Sequence, residues 1–293
     1  MGKITPRVWH ITGANTGFGL ELALKALKEG DRVVAAVRTP SKVPDSLRVD
    51  SVKVLQFDLS FSQADMNAYA KKAVDAFGGI DVLVNNAGYA YMGAIEETED
   101  EQVKKQFDIN VLGILRTIRA FLPTLRTQGS GLIMNLSSIG GLHGYPSNGV
   151  YCATKFALEG ITEALAAEVT PFGVSAVIVE PGYFRTSFLS SVAATGGGGD
   201  NLAPENPAYE GTVAHEARAA FTAFNGKQRG NPVEGAARMW EYATGEGLFK
   251  GKEKLLRLPL GSDTGAQMRA LSEDLAKTAD YYEDVWASTD FSE

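Results

Sequence analysis

The fold is decided by residues 8–19, which read Val8-Trp9-His10-Ile11-Thr12-Gly13-Ala14-Asn15-Thr16-Gly17-Phe18-Gly19. The apolar start predicts a buried strand, and the glycine-rich turn leads directly into a helix with an apolar stripe. At such a junction the backbone N–H groups and the helix dipole favour a diphosphate, and glycine lets it approach closely. We therefore expect a dinucleotide here, although the glycine spacing differs from G-x-G-x-x-G. The expected contacts are Gly13, Asn15, Thr16, Gly17, Phe18 and Gly19.

Short apolar, β-branched runs alternate with segments of helical period along the rest of the chain. This alternation predicts a parallel sheet with helices on both faces, joined by right-handed crossovers. We expect an α/β protein with a doubly wound, Rossmann-type, mostly parallel seven-stranded sheet in a single domain, residues 1–293. The strands are expected at residues 7–11, 32–37, 52–57, 81–84, 132–136, 175–180 and 255–258, and later helices near 62–77, 100–126 and 150–170.

Two segments of the C-terminal third are expected to stand apart from this pattern. Residues 188–250 include four consecutive glycines, residues 196–199, and are interpreted as a substrate loop or lid; a plain surface loop is the alternative. Residues 262–287 have amphipathic helical spacing, with Ser262 or Asp263 as the cap. We expect this C-terminal helix to pack on the core.

Composition excludes several classes of protein. The chain has 293 residues, with 28 Lys and Arg against 35 Asp and Glu, a net charge of −7 that argues against nucleic-acid binding. It lacks the ~18–20 consecutive apolar residues of a membrane helix, and strand-like sequence begins too early for a signal peptide. The lone Cys152 and three scattered histidines predict neither a disulfide nor a metal site. A cytoplasmic protein without membrane contact is expected.

The end of the second strand bears on the choice of dinucleotide. Sites that select NAD usually place an acidic residue about twenty residues after the glycines, where it binds the ribose 2′-hydroxyl. Arg38 stands in that neighbourhood instead, and a guanidinium binds a phosphate through two hydrogen bonds. This favours NADP(H) over NAD(H), with a solvated arginine at a strand end as the alternative.

Residues with catalytic chemistry follow the fifth strand. Tyr151 and Lys155 are four apart, so they share one face of a helix, and Ser138 precedes Tyr151 by thirteen residues. A tyrosine has a pKa of about 10, and a cation about 4 Å away lowers it by at most about 3, opposed in part by desolvation. Ser137 is the alternative to Ser138, but the thirteen-residue spacing favours Ser138.

The order of these motifs resembles the classical short-chain dehydrogenase/reductase family, strongly over residues 5–190 and more loosely beyond, where it is similar to the retinol- and hydroxysteroid-dehydrogenase-like branch. The resemblance rests on residues 12–19, Asp58, Asn85-Asn86-Ala87-Gly88, Asn110, Ser138, Tyr151, Lys155 and Pro181-Gly182.

The resemblance implies a role for each catalytic residue. Tyr151 would exchange a proton with the substrate oxygen, and Ser138 would hold that oxygen. Lys155 would lower the pKa of Tyr151 and bind the nicotinamide ribose, and Asn110 would keep a relay water near the lysine. Further cofactor contacts would come from Asp58, Leu59, Asn86, Ala87, Gly88, Pro181, Gly182, Phe184 and Thr186.

The expected pocket walls are apolar and aromatic, which suggests a medium-sized, largely apolar ketone, aldehyde or alcohol. We therefore expect an NADP(H)-dependent oxidoreductase that favours reduction, because cellular NADP is usually kept reduced. A redox-neutral epimerase or dehydratase and a non-catalytic NADP-binding regulator are the alternatives. A homodimer or homotetramer is expected, as in many relatives. The walls are Tyr89, Tyr91, Met92, Leu142, Tyr145, Tyr183, Phe188 and Leu189.

Overall fold

A seven-stranded parallel sheet forms the centre of the computed structural model, which describes residues 6–189 and 201–291. The strand order is β3-β2-β1-β4-β5-β6-β7, so the chain winds outward in both directions from β1. This confirms the predicted doubly wound, Rossmann-type fold, and every described strand pair is parallel. The strands are β1 Val8–Thr12, β2 Arg32–Val37, β3 Val52–Gln56, β4 Val82–Asn85, β5 Gly131–Leu136, β6 Val174–Pro181 and β7 Arg257–Leu260.

Helices cover both faces of the sheet because successive strand residues point to opposite sides. Trp9 and Ile11 of β1 belong to one buried cluster, and Val8 belongs to the cluster on the other face. The helices are α1 Gly17–Lys28, α2 Gln63–Asp75, α3 Asp100–Phe107, α4 Ile114–Gln128, α5 Gly149–Val169, α6 Val213–Ala223, α7 Pro232–Thr244, α8 Ser262–Tyr281 and α9 Glu283–Ala287.

The structure corrects two predicted boundaries. The helix expected over residues 100–126 is divided, because a π-helical turn at Asp108–Gly113 separates α3 from α4. The seventh strand begins at Arg257 rather than at Leu255, which is 65% exposed. Pairing with β6 sets this register, since Ile178 lies opposite Arg257 and Pro181 opposite Leu260.

Residues 190–200 of the segment predicted as a loop or lid, residues 188–250, lie outside the described part, and its described residues 201–250 form the helices α6 and α7. Of these helices, α7 belongs to the core layer beside α1. Its Trp240 donates an indole hydrogen bond of 3.0 Å to Asp31, which also accepts one of 2.9 Å from Trp9. Among the described residues of this segment, α7 therefore belongs to the sheet-covering helices, and residues 201–230, which include α6, lie outside that layer.

The later part of the C-terminal helix does not pack on the core, contrary to the sequence prediction. Thr264 is the buried residue of α8, whereas its Leu275 and Tyr281 are 60% and 74% exposed, and Trp286 of α9, where the predicted helix continues after a break at Tyr282, is 53% exposed. Met268 and Leu271, earlier in the apolar stripe, are partly buried, and the helix contacts β7 and the turn at Ile139–Gly141, so it is the later part of the stripe that is exposed. None of the described helices has the length and apolar character that crossing a membrane requires.

A histidine is buried in the centre of the sheet. His10 has no exposed surface, and its Nε2 lies 2.9 Å from the Tyr69 hydroxyl. Its ring centroid is 4.6 Å from that of Phe121. Burial among these rings lowers the pKa of His10 from 6.5 to about 3, because the imidazolium loses its hydration.

This burial predicts a loss of stability in acid. As the pH falls below 6.5, His10 becomes protonated in the unfolded chain, whereas in the folded chain it stays neutral down to about pH 3. The free energy of unfolding should therefore fall by about 1.4 kcal/mol for each pH unit in that window, relative to a His10→Gln variant. Urea denaturation of both proteins from pH 7.5 to 4 measures the difference; parallel curves would contradict it.

Candidate active site

One threonine joins the glycine-rich turn to the neighbouring strand at the carboxyl edge of the sheet. The Thr12 hydroxyl accepts hydrogen bonds of 2.9 Å from the backbone N–H groups of Asn86 and Ala87. The Asn86 side chain returns a hydrogen bond of 2.7 Å to the Thr12 carbonyl. These contacts fix the ends of β1 and β4 relative to each other, at the point where the chain winds in opposite directions and ligands bind in such sheets.

The turn itself has the shape that a diphosphate requires. Gly13 and Gly17 have φ angles of 68° and 55°, which favour glycine. A Cβ at Gly19 would collide with the Gly13 carbonyl and the Asn86 amide. Thr16, the N-cap residue of α1, makes no side-chain hydrogen bond to the first turn. The first backbone N–H groups of α1 therefore have no side-chain cap from this residue. The described residues therefore fit a phosphate-bearing cofactor.

The sequence-predicted adenosine contacts lie along the same edge. Arg38 is exposed directly after β2, whose Ala36 carbonyl accepts a hydrogen bond of 2.9 Å from the Gly13 N–H. Asp58 follows β3 and accepts hydrogen bonds of 2.9 and 2.8 Å from the backbone and hydroxyl of Ser60. Leu59 is buried beside the π-helical turn. Because β1, β2 and β3 are neighbours in the sheet, the glycine turn, Arg38 and Asp58 follow one another along its carboxyl edge.

Two of the predicted catalytic residues lie side by side. A Cβ built at Gly140 would be 3.6 Å from the Ser138 hydroxyl and 3.4 Å from the Tyr151 ring, and this hydroxyl accepts a hydrogen bond of 3.1 Å from the Gly140 N–H. Ser137, the alternative, turns away and donates a hydrogen bond of 2.7 Å to Glu159. The structure therefore separates the two serines, and Ser138 is the one beside the tyrosine.

Lys155 lies one helical turn beyond Tyr151, as the spacing predicts. Its ammonium is 5.6 Å from the centre of the Tyr151 ring and donates a hydrogen bond of 2.7 Å to the Leu136 carbonyl. Lys155 is 5% exposed, and burial lowers its pKa to about 8, which Glu159 opposes. This side chain is a partly desolvated cation held against the end of β5.

The pKa of Tyr151 differs from the sequence expectation. Burial raises it above the ordinary value of 10.0, and the neighbouring Ser138 hydroxyl lowers it by less. The expected lowering by Lys155 does not prevail, because Tyr151 is 6% exposed and its phenolate would lose most of its hydration.

Asn110 is held inside the π-helical turn that the sequence analysis missed. Its amide nitrogen donates hydrogen bonds of 2.8 Å to the Tyr89 carbonyl and 3.2 Å to the Thr154 hydroxyl. Its carbonyl oxygen accepts one of 3.1 Å from the Tyr89 N–H. A Cβ built at Gly88 would lie 3.2 Å from this oxygen and 3.9 Å from the Lys155 nitrogen. Asn110 and Lys155 thus border the same space above Gly88.

The loop after β6 completes the edge. The Gly182 N–H donates a hydrogen bond of 2.9 Å to the Leu260 carbonyl, which continues the pairing from Pro181. A Cβ at Gly17 would lie 3.5 Å from Thr186, so this loop reaches the glycine turn. The Phe18 and Phe184 rings pack together at 4.8 Å, so these two side chains make apolar contacts with each other.

An apolar wall stands next to Tyr151. Its ring centroid is 5.8 Å from that of Phe188. Some members of this wall were not predicted, because they come from the segment after residue 200: Leu202 and Phe221 pack on the cluster, and Phe224 lies 5.5 Å from Tyr183. The available signal was the pair Phe221 and Phe224, three residues apart at the end of α6. The buried part of the cluster comprises Ala90, Met92, Tyr151 and Cys152, with Tyr145, Phe188, Leu202 and Phe221 against it.

Curated relatives share this chain's sequence over most of its length. The oxidoreductase YusZ of Bacillus subtilis is 34% identical over 258 residues, which cover 86% of this chain and 88% of that protein. The 3-ketodihydrosphingosine reductase of Bacteroides thetaiotaomicron is 39% identical, over 64% of this chain and 67% of the relative. Human 17-beta-hydroxysteroid dehydrogenase type 1 is 38% identical, over 62% of this chain and 58% of the enzyme.

Solved structures share the fold. A short-chain dehydrogenase from Streptomyces avermitilis superposes with a TM-score of 0.84 at 33% identity, covering 98% of this chain and all of that one. The family model for short chain dehydrogenases matches residues 7–196, which contain the glycine turn, Ser138, Tyr151 and Lys155. The chain therefore belongs to the short-chain dehydrogenase/reductase family and is an oxidoreductase.

Proposed function

We propose that the protein is an NADP(H)-dependent reductase that converts a largely apolar ketone or aldehyde into an alcohol. The observation that carries this is the placement of Ser138 beside Tyr151, both within 3.6 Å of a Cβ built at Gly140, with the Lys155 ammonium 5.6 Å from the centre of the phenol ring. It lies at the carboxyl edge that also carries the glycine cradle. A proton donor, an oxygen-binding hydroxyl and a cation thus stand together beside a dinucleotide site.

Each side chain has a separate task in this reaction. Bound NADPH would supply a hydride to the carbonyl carbon. Ser138 donates a hydrogen bond to the carbonyl oxygen and orients it, and the Tyr151 phenol gives that oxygen a proton as the carbon–oxygen double bond becomes single. The Lys155 ammonium stabilises the phenolate that remains. Asn110, bordering the space above Gly88 with Lys155, is placed to hold the water that restores the proton.

The substrate class follows from the wall around Tyr151. Phe188, Tyr145, Leu202 and Phe221 present apolar surface beside the phenol. Two relatives support an apolar carbonyl or alcohol, since their names describe a 3-ketodihydrosphingosine reductase and a hydroxysteroid dehydrogenase.

Removal of the Tyr151 hydroxyl should stop turnover without preventing cofactor binding. In Tyr151→Phe, kcat for reduction of the most reactive ketone in a panel should fall by about 10²–10⁴-fold, because the proton donor is lost. Loss of NADPH absorbance measures turnover, and calorimetry measures the NADPH Kd. Tyr281→Phe, at an exposed phenol of α8, serves as the control. Unchanged kcat would remove Tyr151 from this role; no ketone-dependent oxidation at all would favour a redox-neutral enzyme or a regulator.

Reversal of the charge at Arg38 should separate the two cofactors. In Arg38→Asp, the Kd for NADPH should rise by about 10- to 100-fold, because a charge-assisted hydrogen bond to the 2′-phosphate is lost, while NADH binding changes little. Lys53→Asp, on exposed Lys53 of β3, controls for the general loss of positive charge. Calorimetric titration with both nucleotides checks this, and equal weakening would place the 2′-phosphate elsewhere.

The chain should form a homodimer or homotetramer through the outer faces of the π-helical turn and α5. Leu112 and Phe156 expose 47% and 48% of their surface there, more than apolar side chains usually expose. Light scattering should give a mass above the 31.3 kDa of one chain. Phe156→Glu should reduce that mass, whereas Leu248→Glu, at an exposed position between α7 and β7, should not. A wild-type mass of 31.3 kDa would contradict the expectation.

A further inference from the structure

Consecutive turns of α5 hold consecutive residues at the end of β5. The first turn presents Tyr151, whose ring lies beside the Ser138 hydroxyl. The next presents Lys155, whose ammonium binds the Leu136 carbonyl at 2.7 Å. The residue between these two contacts, Ser137, is bound by the following turn of the same helix. The active-site end of the strand is thus attached to α5 at three successive residues.

The third attachment is made by Glu159, which the reaction described above does not use. Its carboxylate is 5% exposed and accepts a hydrogen bond of 2.7 Å from the Ser137 hydroxyl. A Cβ at Gly141 would collide with both the Glu159 carboxylate and the Ser137 hydroxyl. The turn that follows Ser138 therefore packs directly against the Glu159 carboxylate at Gly141.

An arginine from the last strand balances the buried charge. Arg257 of β7 binds the second oxygen of Glu159 at 2.6 Å and Glu180 of β6 at 2.5 Å. Glu180 has no exposed surface, and burial together with Glu159 raises its pKa to about 7. Two carboxylates thus share a guanidinium, and a buried carboxylate without such a partner is strongly unfavourable.

The charged and titratable groups around Lys155 and Glu159 are few and lie on elements already described. They are Tyr151 on the same helix, Glu180 on β6 and Arg257 on β7. The end of β5 contributes the Ser137 hydroxyl and the π-helical turn contributes the Asn110 amide, and neither titrates near neutral pH. Glu159 acts directly on Lys155, since its charge favours the ammonium against burial.

We infer that Glu159 is a positioning residue for this reaction, which holds the Ser137-Ser138 turn in place through its hydrogen bond to Ser137 and puts a buried carboxylate one helical turn from Lys155. The inference rests on the proposed function for its catalytic consequence. The hydrogen bond gives Ser138 its position, and the negative charge one turn from Lys155 sustains the positive charge that the phenolate needs. Arg257 permits this by making a buried carboxylate tolerable beside the site.

Three substitutions separate charge from hydrogen bonding. Glu159→Gln keeps the side-chain shape and a hydrogen-bonding group for Ser137 but removes the charge. Ser137→Ala keeps the charge and removes the hydrogen bond. Glu180→Gln is the matched control, because it also removes a carboxylate from Arg257 but touches neither Ser137 nor Lys155. Circular dichroism and thermal unfolding establish that each variant is folded.

The pKa of Lys155 is measured without substrate by carbon NMR of protein labelled at the lysine Cε, with the Lys155 signal assigned by its loss in Lys155→Met. We expect Glu159→Gln to lower this pKa by about one pH unit. Ser137→Ala and Glu180→Gln should leave it near the wild-type value. Equal values in wild type and Glu159→Gln, or an equal decrease in Glu180→Gln, would overturn the inference whatever the enzyme reduces.

Kinetics test the catalytic consequence with the ketone that the panel identifies. The alkaline limb of kcat/KM for NADPH-dependent reduction should move to lower pH in Glu159→Gln by the same amount as the lysine pKa. Ser137→Ala should lower kcat without moving that limb, because only the position of Ser138 changes. A limb that stays in place while the lysine pKa moves would overturn the catalytic part. Failure of every ketone would refute the proposed function, and the NMR titration would still decide whether Glu159 and Lys155 are electrostatically coupled.

Discussion

The hydrogen bond from the Lys155 ammonium to the Leu136 carbonyl is the contact on which the site depends. A cation that is 5% exposed needs a partner that water would otherwise provide, and the end of a strand offers a free carbonyl at 2.7 Å. Buried apolar side chains of α5, such as Leu158 and Leu165, pack the helix on the sheet, and this contact fixes Lys155 at the end of β5. Tyr151 and Glu159, on the turns before and after Lys155, lie beside Ser138 and bind Ser137, respectively.

The features predicted from sequence are those encoded locally. Continuous apolar runs identified the strands, and the glycines between Thr12 and Gly19 identified the turn from β1 into α1. The four-residue spacing of Tyr151 and Lys155 placed both on one helical face. In a parallel sheet all strand ends meet at one edge, so residues after several strands had to converge even though their contacts were unknown.

The features that were missed depend on partners distant in the sequence. Nothing in residues 100–126 marks a π-helical turn, which forms around the contacts of Asn110 with Tyr89 and Thr154. Arg257 reads as an ordinary strand residue until β6 and α5 bring two carboxylates to it. The apolar stripe of α8 predicts burial, but spacing cannot say whether another element lies beside it.

Burial shifts the pKa values of Tyr151 and Lys155 in opposite directions, and the proposed reduction uses both shifts. Each shift disfavours the charged form: the pKa of the Tyr151 phenol rises, and that of the Lys155 ammonium falls to about 8. Near neutral pH the phenol therefore keeps its proton while the lysine is still mostly charged. This is the pair of states from which the proposed reduction begins, with a donor ready and a cation beside it. Burial alone would lower the pKa of Lys155 further, and the amine would then lose its charge near neutral pH. The negative charge of Glu159, one helical turn away, opposes this, so the site can exclude water and still hold an ammonium.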